Sequence, residues 1–207
     1  MDSINIPDPN KILTIVALPM EIPMEDWDSR SRIIYSGVGK INASIKLVEA
    51  IQIFKPELVV NLGTAGSIRS EIVGIVEVDT VIERDFDAFP LCDRGLIPFE
   101  EGNNRHWSGY EGVVCASGDS FVRESDTYLK LMKVDIVDME LIAIARVCNK
   151  YNIPWRSFKF ISDYIGHNIE QQWQDGVTKA SEALIGKFDS EFFRVRPRDL
   201  NPEPSDP

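Results

Sequence analysis

The stretch Val134-Asp135-Ile136-Val137-Asp138-Met139-Glu140-Leu141-Ile142-Ala143-Ile144-Ala145-Arg146-Val147-Cys148-Asn149 decides the fold. Val134 to Val137 reads as a short apolar strand, and Asp138 to Asn149 as a helix entered directly from it. Beyond Pro154, the residues Arg156 to Ile161 predict another strand, which runs out at Ser162-Asp163. Strand, helix, strand with short connectors is the unit from which a parallel sheet covered by helices is built.

The same alternation extends outward. Ile12 to Ala17 is a β-rich apolar run, and Arg32 to Ser36 predicts a second strand. Gly37-Val38-Gly39 leads into a helix over Lys40–Phe54, with apolar residues at Ile41, Ile45, Val48 and Ile51, stopped by Pro56. Glu57 to Leu62 predicts a buried strand ended by a turn at Gly63-Thr64-Ala65-Gly66. Gly74 to Glu83 is long and β-branched, Gly112 to Ala116 is a short strand, and Ser117-Gly118-Asp119-Ser120 is a turn. A final helix falls within Ile169 to Phe188, with Gly176 as its weak point. The expectation is an α/β protein: one three-layer α/β/α domain over residues 11–195 with a central mixed, largely parallel sheet. Residues 1–10, with Pro7 and Pro9, and the proline-rich 196–207 are expected to be flexible tails.

Composition narrows the function. The 207 residues suffice for one domain with a sizeable core, and 43% of them are hydrophobic. Asp plus Glu number 33 against 22 Lys plus Arg, a formal net charge of -11. Counterion release does not draw such a surface to nucleic acid, and an anionic membrane surface repels it. No apolar run approaches the length of a membrane span, and the acidic N-terminus lacks the pattern of a signal peptide. Cys92, Cys115 and Cys148 are odd in number and widely spaced, which fits buried reduced thiols in a cytoplasmic protein better than disulfides or zinc. His106 and His167 are far apart and are expected at the surface, so no metal site is expected. Gly37-Val38-Gly39 is followed by Asn42 where a dinucleotide fingerprint needs glycine, so no cofactor is expected either.

In open α/β sheets, ligands bind beyond the carboxyl ends of the strands. Glu21, Glu140 and Asp163 all fall at such strand ends. Three carboxyl groups there suggest a site that protonates a leaving group and activates water. Each acid also has a plainer reading. Asp163 suits a helix N-cap, Glu140 a first helical turn, and Glu21 a solvated loop. Asp138 already serves the dipole of its helix, which leaves Glu140 needing another reason to point inward. Thr64 offers a hydroxyl for a sugar edge or a water, or else bonds its own turn.

Five motifs then occur in order: Ser36-Gly37-Val38-Gly39-Lys40-Ile41-Asn42-Ala43, Asn61-Leu62-Gly63-Thr64-Ala65-Gly66, Ala116-Ser117-Gly118-Asp119-Ser120-Phe121, Val137-Asp138-Met139-Glu140 and Ile161-Ser162-Asp163. Together, over about Ile12 to Phe188, they resemble the nucleoside phosphorylase/nucleosidase superfamily, and most of all the 5'-methylthioadenosine/S-adenosylhomocysteine nucleosidases. The resemblance implies a purine nucleoside substrate with an apolar 5'-substituent. It implies that Asp163, supported by Ser162, protonates the departing purine near N7, and that Glu140 holds the sugar hydroxyls above Met139. It further implies that Glu21 deprotonates the attacking water, Phe121 stacks on the base, the Val122 backbone reads the base edge, and Trp173 meets the 5'-group. On residue type alone Phe121 and Met139 read as core, and Trp173 as the aromatic of an amphipathic helix. Lys159 stands at a basic position of these enzymes. The family's habit of completing its pocket across an interface implies a homodimer, with Phe89 and Leu91 reaching the neighbouring subunit.

The chain departs from the family between Glu21 and Ile33, where a helix and hairpin are shortened to a few residues. That leaves the 5'-group open, with futalosine-type or plain nucleosides as alternatives. Phosphorylases carry an arginine where Asn61 stands and a glycine-rich loop where Leu18-Pro19-Met20-Glu21 stands, so water is favoured over phosphate. Two other readings stay open: a phosphorylase using Arg30 or Arg32, and a nucleoside-binding relative without turnover.

Overall fold

The computed structural model describes residues 8–28, 30–99, 104–166 and 169–193. Its strands are β1 (Ile12–Val16), β2 (Arg32–Tyr35), β3 (Leu58–Ser67), β4 (Ile75–Glu83), β5 (Arg105–Trp107), β6 (Val113–Ser117), β7 (Ile136–Asp138) and β8 (Trp155–Tyr164). Its α-helices are α1 (Met24–Trp27), α2 (Lys40–Phe54), α3 (Thr127–Leu131), α4 (Leu141–Tyr151) and α5 (Ile169–Phe192). The strands form one mixed sheet in the order β2-β1-β3-β7-β6-β4-β5, and β8 pairs with both β3 and β4. The pairing therefore closes on itself through β3, β7, β6, β4 and β8. Pairs β1–β2, β1–β3, β3–β8, β4–β6 and β6–β7 are parallel, whereas β3–β7, β4–β5 and β4–β8 are antiparallel.

The three layers follow from the period of two along each strand. Leu13 and Ile15 of β1 and Val59 of β3 face α2 and α4, where they pack with Leu47, Ile51, Ile142 and Ile144. Ile12, Val16, Leu58, Val60 and Leu62 face the other way and meet Ala180, Leu184, Phe188 and Phe192 of α5. A smaller cluster of Ile82, Ala116, Leu129, Val134 and Val137 lies under α3. The expected α/β/α domain with a mixed sheet is thus the observed one.

Several boundaries move, each for a tertiary reason. Gly63-Thr64-Ala65-Gly66 is not a turn but the continuation of β3, because the ladder with β8 runs on through Thr64–Phe160 and Gly66–Asp163. Glycine at position 66 leaves the acid in place, since a Cβ there would sit 2.8 Å from Asp163 Oδ2 and the carboxyl would have to shift. Strand β8 likewise runs past Ile161, so Asp163 lies within a strand and caps no helix. The helix predicted from Asp138 begins at Leu141, because Asp138 pairs with Ser117 in the sheet and its carboxylate accepts the Leu141 N–H. Gly176 does not weaken α5; it lets the helix pass within 2.7 Å of the Ser162 Cα, measured from an ideal Cβ. Helices α1 and α3 and strand β5, none of them predicted, are too short to show a period. The expected tails fall mostly outside the described residues, but Asp8 caps a single 3-10 turn at Pro9–Lys11.

Candidate active site

One cavity of about 330 Å³ opens at the carboxyl ends of β1, β3 and β6. Glu21, Thr64, Phe121, Val122, Met139, Glu140, Ser162, Asp163 and Trp173 all line it. The catalytic and substrate-binding candidates are therefore brought to one hollow.

Glu21 is buried at the end of the turn that follows β1. Its Oε1 accepts from the Thr64 amide at 2.7 Å and pairs with the Thr64 hydroxyl at 2.8 Å, while Oε2 accepts from the Leu18 amide at 3.1 Å. Thr64 Oγ1 also accepts from Trp173 Nε1 at 3.2 Å. The reading of Glu21 as a solvated loop acid fails, because backbone donors from two strand ends hold it in the interior.

Glu140 sits at the N-cap position of α4, with no cap bond from its side chain. Its Oε1 instead accepts the Gly39 amide at 2.8 Å, tying the start of α4 to the start of α2. Burial pushes its carboxyl up to about 7, and the neighbouring Asp138 carboxylate adds to the rise. Asp163 is buried beside Ser162, whose hydroxyl donates to Oδ1 at 2.7 Å. Burial raises its pKa and the Ser162 bond only partly offsets that, so the protonated acid is favoured more than for a free aspartate.

Beneath these groups lies an ion pair between Lys159 Nζ and Asp138 Oδ2 at 2.8 Å, with side chains 2% and 1% exposed. Burial opposes both charges, but surrounding groups together outweigh it: Lys159, Ser117 and the Leu141 amide hold Asp138 below the usual carboxylate range, and Asp138 with Glu140 holds Lys159 above the usual lysine range. The Ser117 hydroxyl also donates to Asp138 and accepts the Ile142 amide at 2.9 Å. The sequence did not reveal this cluster. Its signal was a lysine flanked by Phe158 and Phe160 at the middle of a strand, which burial permits only with a partner.

Arg84 was also missed. It is buried at the end of β4, lines the cavity, and donates to the Gly118 and Ser120 carbonyls and to Ser120 Oγ. It thereby braces the turn that carries Phe121. Its signal was position: the first residue after a predicted strand of a parallel pair. Phe121 is 56% exposed, which rules out the core reading and leaves a ring face free at the cavity wall.

The remaining candidates fall elsewhere. Asn61 is a sheet brace, donating to Ile15 O at 3.1 Å and accepting from Ser157 Oγ at 2.9 Å. Arg30 makes a two-point ion pair with Asp189, and Arg32 stacks its guanidinium 4.7 Å from the Phe54 ring centre; neither lines the cavity. Phe89 and Leu91 lie on an exposed loop. His106 is half-buried in β5 rather than fully at the surface, 2.9 Å from Asn149 Nδ2, and His167 lies outside the described residues. Among the described residues, no helix is long and apolar enough to cross a membrane.

Comparison with known proteins places this arrangement. A family profile described as the phosphorylase superfamily matches residues 28–189. The 5'-methylthioadenosine/S-adenosylhomocysteine nucleosidase of Buchnera aphidicola subsp. Acyrthosiphon pisum (strain Tuc7) is 31% identical over 186 residues, covering 79% of this chain and 78% of that protein. The protein of the same name from Staphylococcus aureus (strain MRSA252) is 28% identical over 183 residues, covering 74% and 80%. Among solved structures, the Helicobacter pylori nucleosidase of that name, complexed with a pyrrolo-pyrimidinyl pyrrolidinol, superposes with a TM-score of 0.79 at 22% identity, covering 90% of this chain and 99% of its own. The futalosine hydrolase of Helicobacter pylori superposes with a TM-score of 0.79 at 20% identity, covering 89% and 97%. Identities so low show a shared fold; the family rests on the profile and on the Buchnera relative. The chain belongs to the phosphorylase superfamily and, within it, to the 5'-methylthioadenosine/S-adenosylhomocysteine nucleosidase family.

Proposed function

We propose that this protein hydrolyses the N-glycosidic bond of a purine nucleoside carrying an apolar 5'-substituent, of the 5'-methylthioadenosine or S-adenosylhomocysteine type, and releases the free base. The observation that carries this reading is the convergence of Glu21, Glu140 and Asp163 on one cavity. As the bond between C1' and the purine lengthens, electrons move to the base. Asp163, whose pKa burial raises, gives its proton to N7 of the leaving purine. Glu140 accepts hydrogen bonds from the sugar hydroxyls, and its negative charge favours the oxocarbenium-like sugar. Glu21 takes a proton from the water whose oxygen bonds to C1'. Phe121 supplies the stacking face, Val122 a backbone reader, Met139 the floor beneath the sugar, and Trp173 a wall for the 5'-group.

Incubation with 5'-methylthioadenosine, adenosine and inosine, each with and without phosphate, tests this. Release of free adenine from methylthioadenosine without phosphate supports hydrolysis; strict phosphate dependence, or binding with no turnover, overturns it. The engagement of Arg30 with Asp189 and of Arg32 with Phe54 counts against a phosphate grip by either. We also propose a homodimer, supported by Phe89 and Leu91, 80% and 71% exposed on one loop. A monomeric mass by light scattering would count against it. The buried free thiols of Cys115 and Cys148 suit a reducing, cytoplasmic setting.

A further inference from the structure

The Trp173 indole does two things at the cavity. Its ring lines the wall, and its Nε1–H donates to Thr64 Oγ1 at 3.2 Å. An apolar side chain would fill that wall equally well, so the N–H calls for a separate account. An indole N–H only donates, a carboxylate only accepts, and a threonine hydroxyl has a single proton. With the indole occupying one lone pair of Thr64 Oγ1, the hydroxyl proton is left to point at Glu21 Oε1, 2.8 Å away. The Thr64 amide reaches the same oxygen at 2.7 Å and the Leu18 amide reaches Oε2 at 3.1 Å. Oε1 is therefore filled from two sides, and Oε2 keeps the capacity to accept from a water.

We propose that Trp173 is a positioning residue that acts through Thr64 to orient the water-activating carboxylate of Glu21. The relay is Trp173 N–H to Thr64 oxygen, then Thr64 O–H to Glu21. It joins the wall that meets the 5'-substituent to the group that activates water, so a poorly seated 5'-group is felt at the carboxylate. This rests on the hydrolytic reading of the site given above.

A double-mutant cycle with a spectroscopic companion tests it. Trp173→Phe keeps an aromatic wall and deletes the N–H together with part of the indole's bulk; the cycle with Thr64→Val separates the two, because only the N–H acts through Thr64. Loss of one neutral hydrogen bond predicts a fall in kcat of about threefold to tenfold with KM for methylthioadenosine little changed. In a Thr64→Val background the same substitution has nothing to release, so its effect on kcat disappears. An equal loss in both backgrounds, or a rise in KM at unchanged kcat, overturns the relay and leaves Trp173 as wall alone. The indole N–H resonances of the 4 tryptophans provide the second readout, with that of Trp173 identified by its absence from Trp173→Phe. In Thr64→Val that resonance moves to the position of an indole without this partner; an unmoved resonance also overturns the relay. Should the unaltered protein show no turnover at all, the hydrolytic reading fails by itself, and the resonance still decides whether the indole is tied to Thr64.

Discussion

Replacing Lys159 by methionine removes the cation of the buried pair while keeping an unbranched apolar stem of similar length in the core. Asp138 would then retain the Ser117 hydroxyl and the Leu141 amide as donors, but no cation in direct contact, the more distant Arg84 guanidinium being the charge still felt, with its side chain only 1% exposed. Breaking a buried pair by removing one partner costs about 3–5 kcal/mol, against a total stability of about 5–15 kcal/mol for a domain of this kind. The pH dependence has a definite sign. In the unaltered protein Asp138 lies below its ordinary 3.8, so its contribution is present above that pH and is lost only as pH falls through the lower folded value. In Lys159→Met, burial acts without Lys159 and raises the carboxyl, so the variant loses stability as pH rises above 3.8 toward the raised folded value. Urea unfolding at pH 5 and pH 7.5 reads both effects: the deficit of the variant is expected to be large at pH 7.5 and smaller at pH 5. Loss of the Lys159 charge also raises the Glu140 carboxyl further, which adds to the deficit of the variant at pH 7.5 in the same direction. Adding Asp138→Asn keeps the acceptor for Leu141 and removes the orphaned charge, and is expected to recover at least half of the deficit at pH 7.5. A deficit under about 1 kcal/mol, far below the range for broken buried pairs, or a double variant no more stable than Lys159→Met, would refute the reasoning.

Three further outcomes follow from the cavity. Asp163→Asn mimics the neutral acid in shape and removes a carboxyl that burial raises, so it should not lower the urea midpoint while slowing purine release by about a hundredfold or more; an unchanged rate removes Asp163 from the mechanism. Displacement of the Glu140 carboxyl from 4.5 to about 7 favours its neutral form in the free fold, so stability should fall by about 3 kcal/mol as pH rises from 4.5 through 7. Sugar hydroxyls donate to the charged form, so calorimetry near pH 7 should record proton release on nucleoside binding, and Glu140→Gln should abolish both effects. Gly66→Ala places a methyl 2.8 Å from Asp163 Oδ2 and should lower kcat by about tenfold or more through displacement of the acid; full activity with an undisplaced Asp163 in a crystal structure would contradict the fit described for Gly66.

Much of this was legible in the chain because local chemistry and fold agree. Lys40–Phe54 forms the helix expected over those residues, but Ile41 and Ile45 of its expected apolar stripe are exposed, and Ala43, Leu47 and Ala50 meet the core beside Ile51 because the sheet and α4 pack on that side. Glu21 and Asp163 share one side because β1, β3 and β8 are mutually parallel, whereas Glu140 follows β7, which runs antiparallel to β3 and is brought to the same cavity by the pairing of Val137 with Gly66. Where glycine spacing suggested a turn at Gly63–Gly66, the neighbouring strand β8 supplied a ladder that no local signal announces.

Read alone, the chain yields the layer architecture, the family and the acids of the cavity, though not Arg84, since period, punctuation and residue type are local properties. Only the tertiary structure decided their ionisation and aim. Lys159 is held against Asp138, Glu140 is pushed to about 7, and Trp173 is turned onto Thr64. The reason is that burial and the directions of neighbouring donors set a side chain's charge and orientation, and both belong to the packed assembly of strands that are distant along the chain.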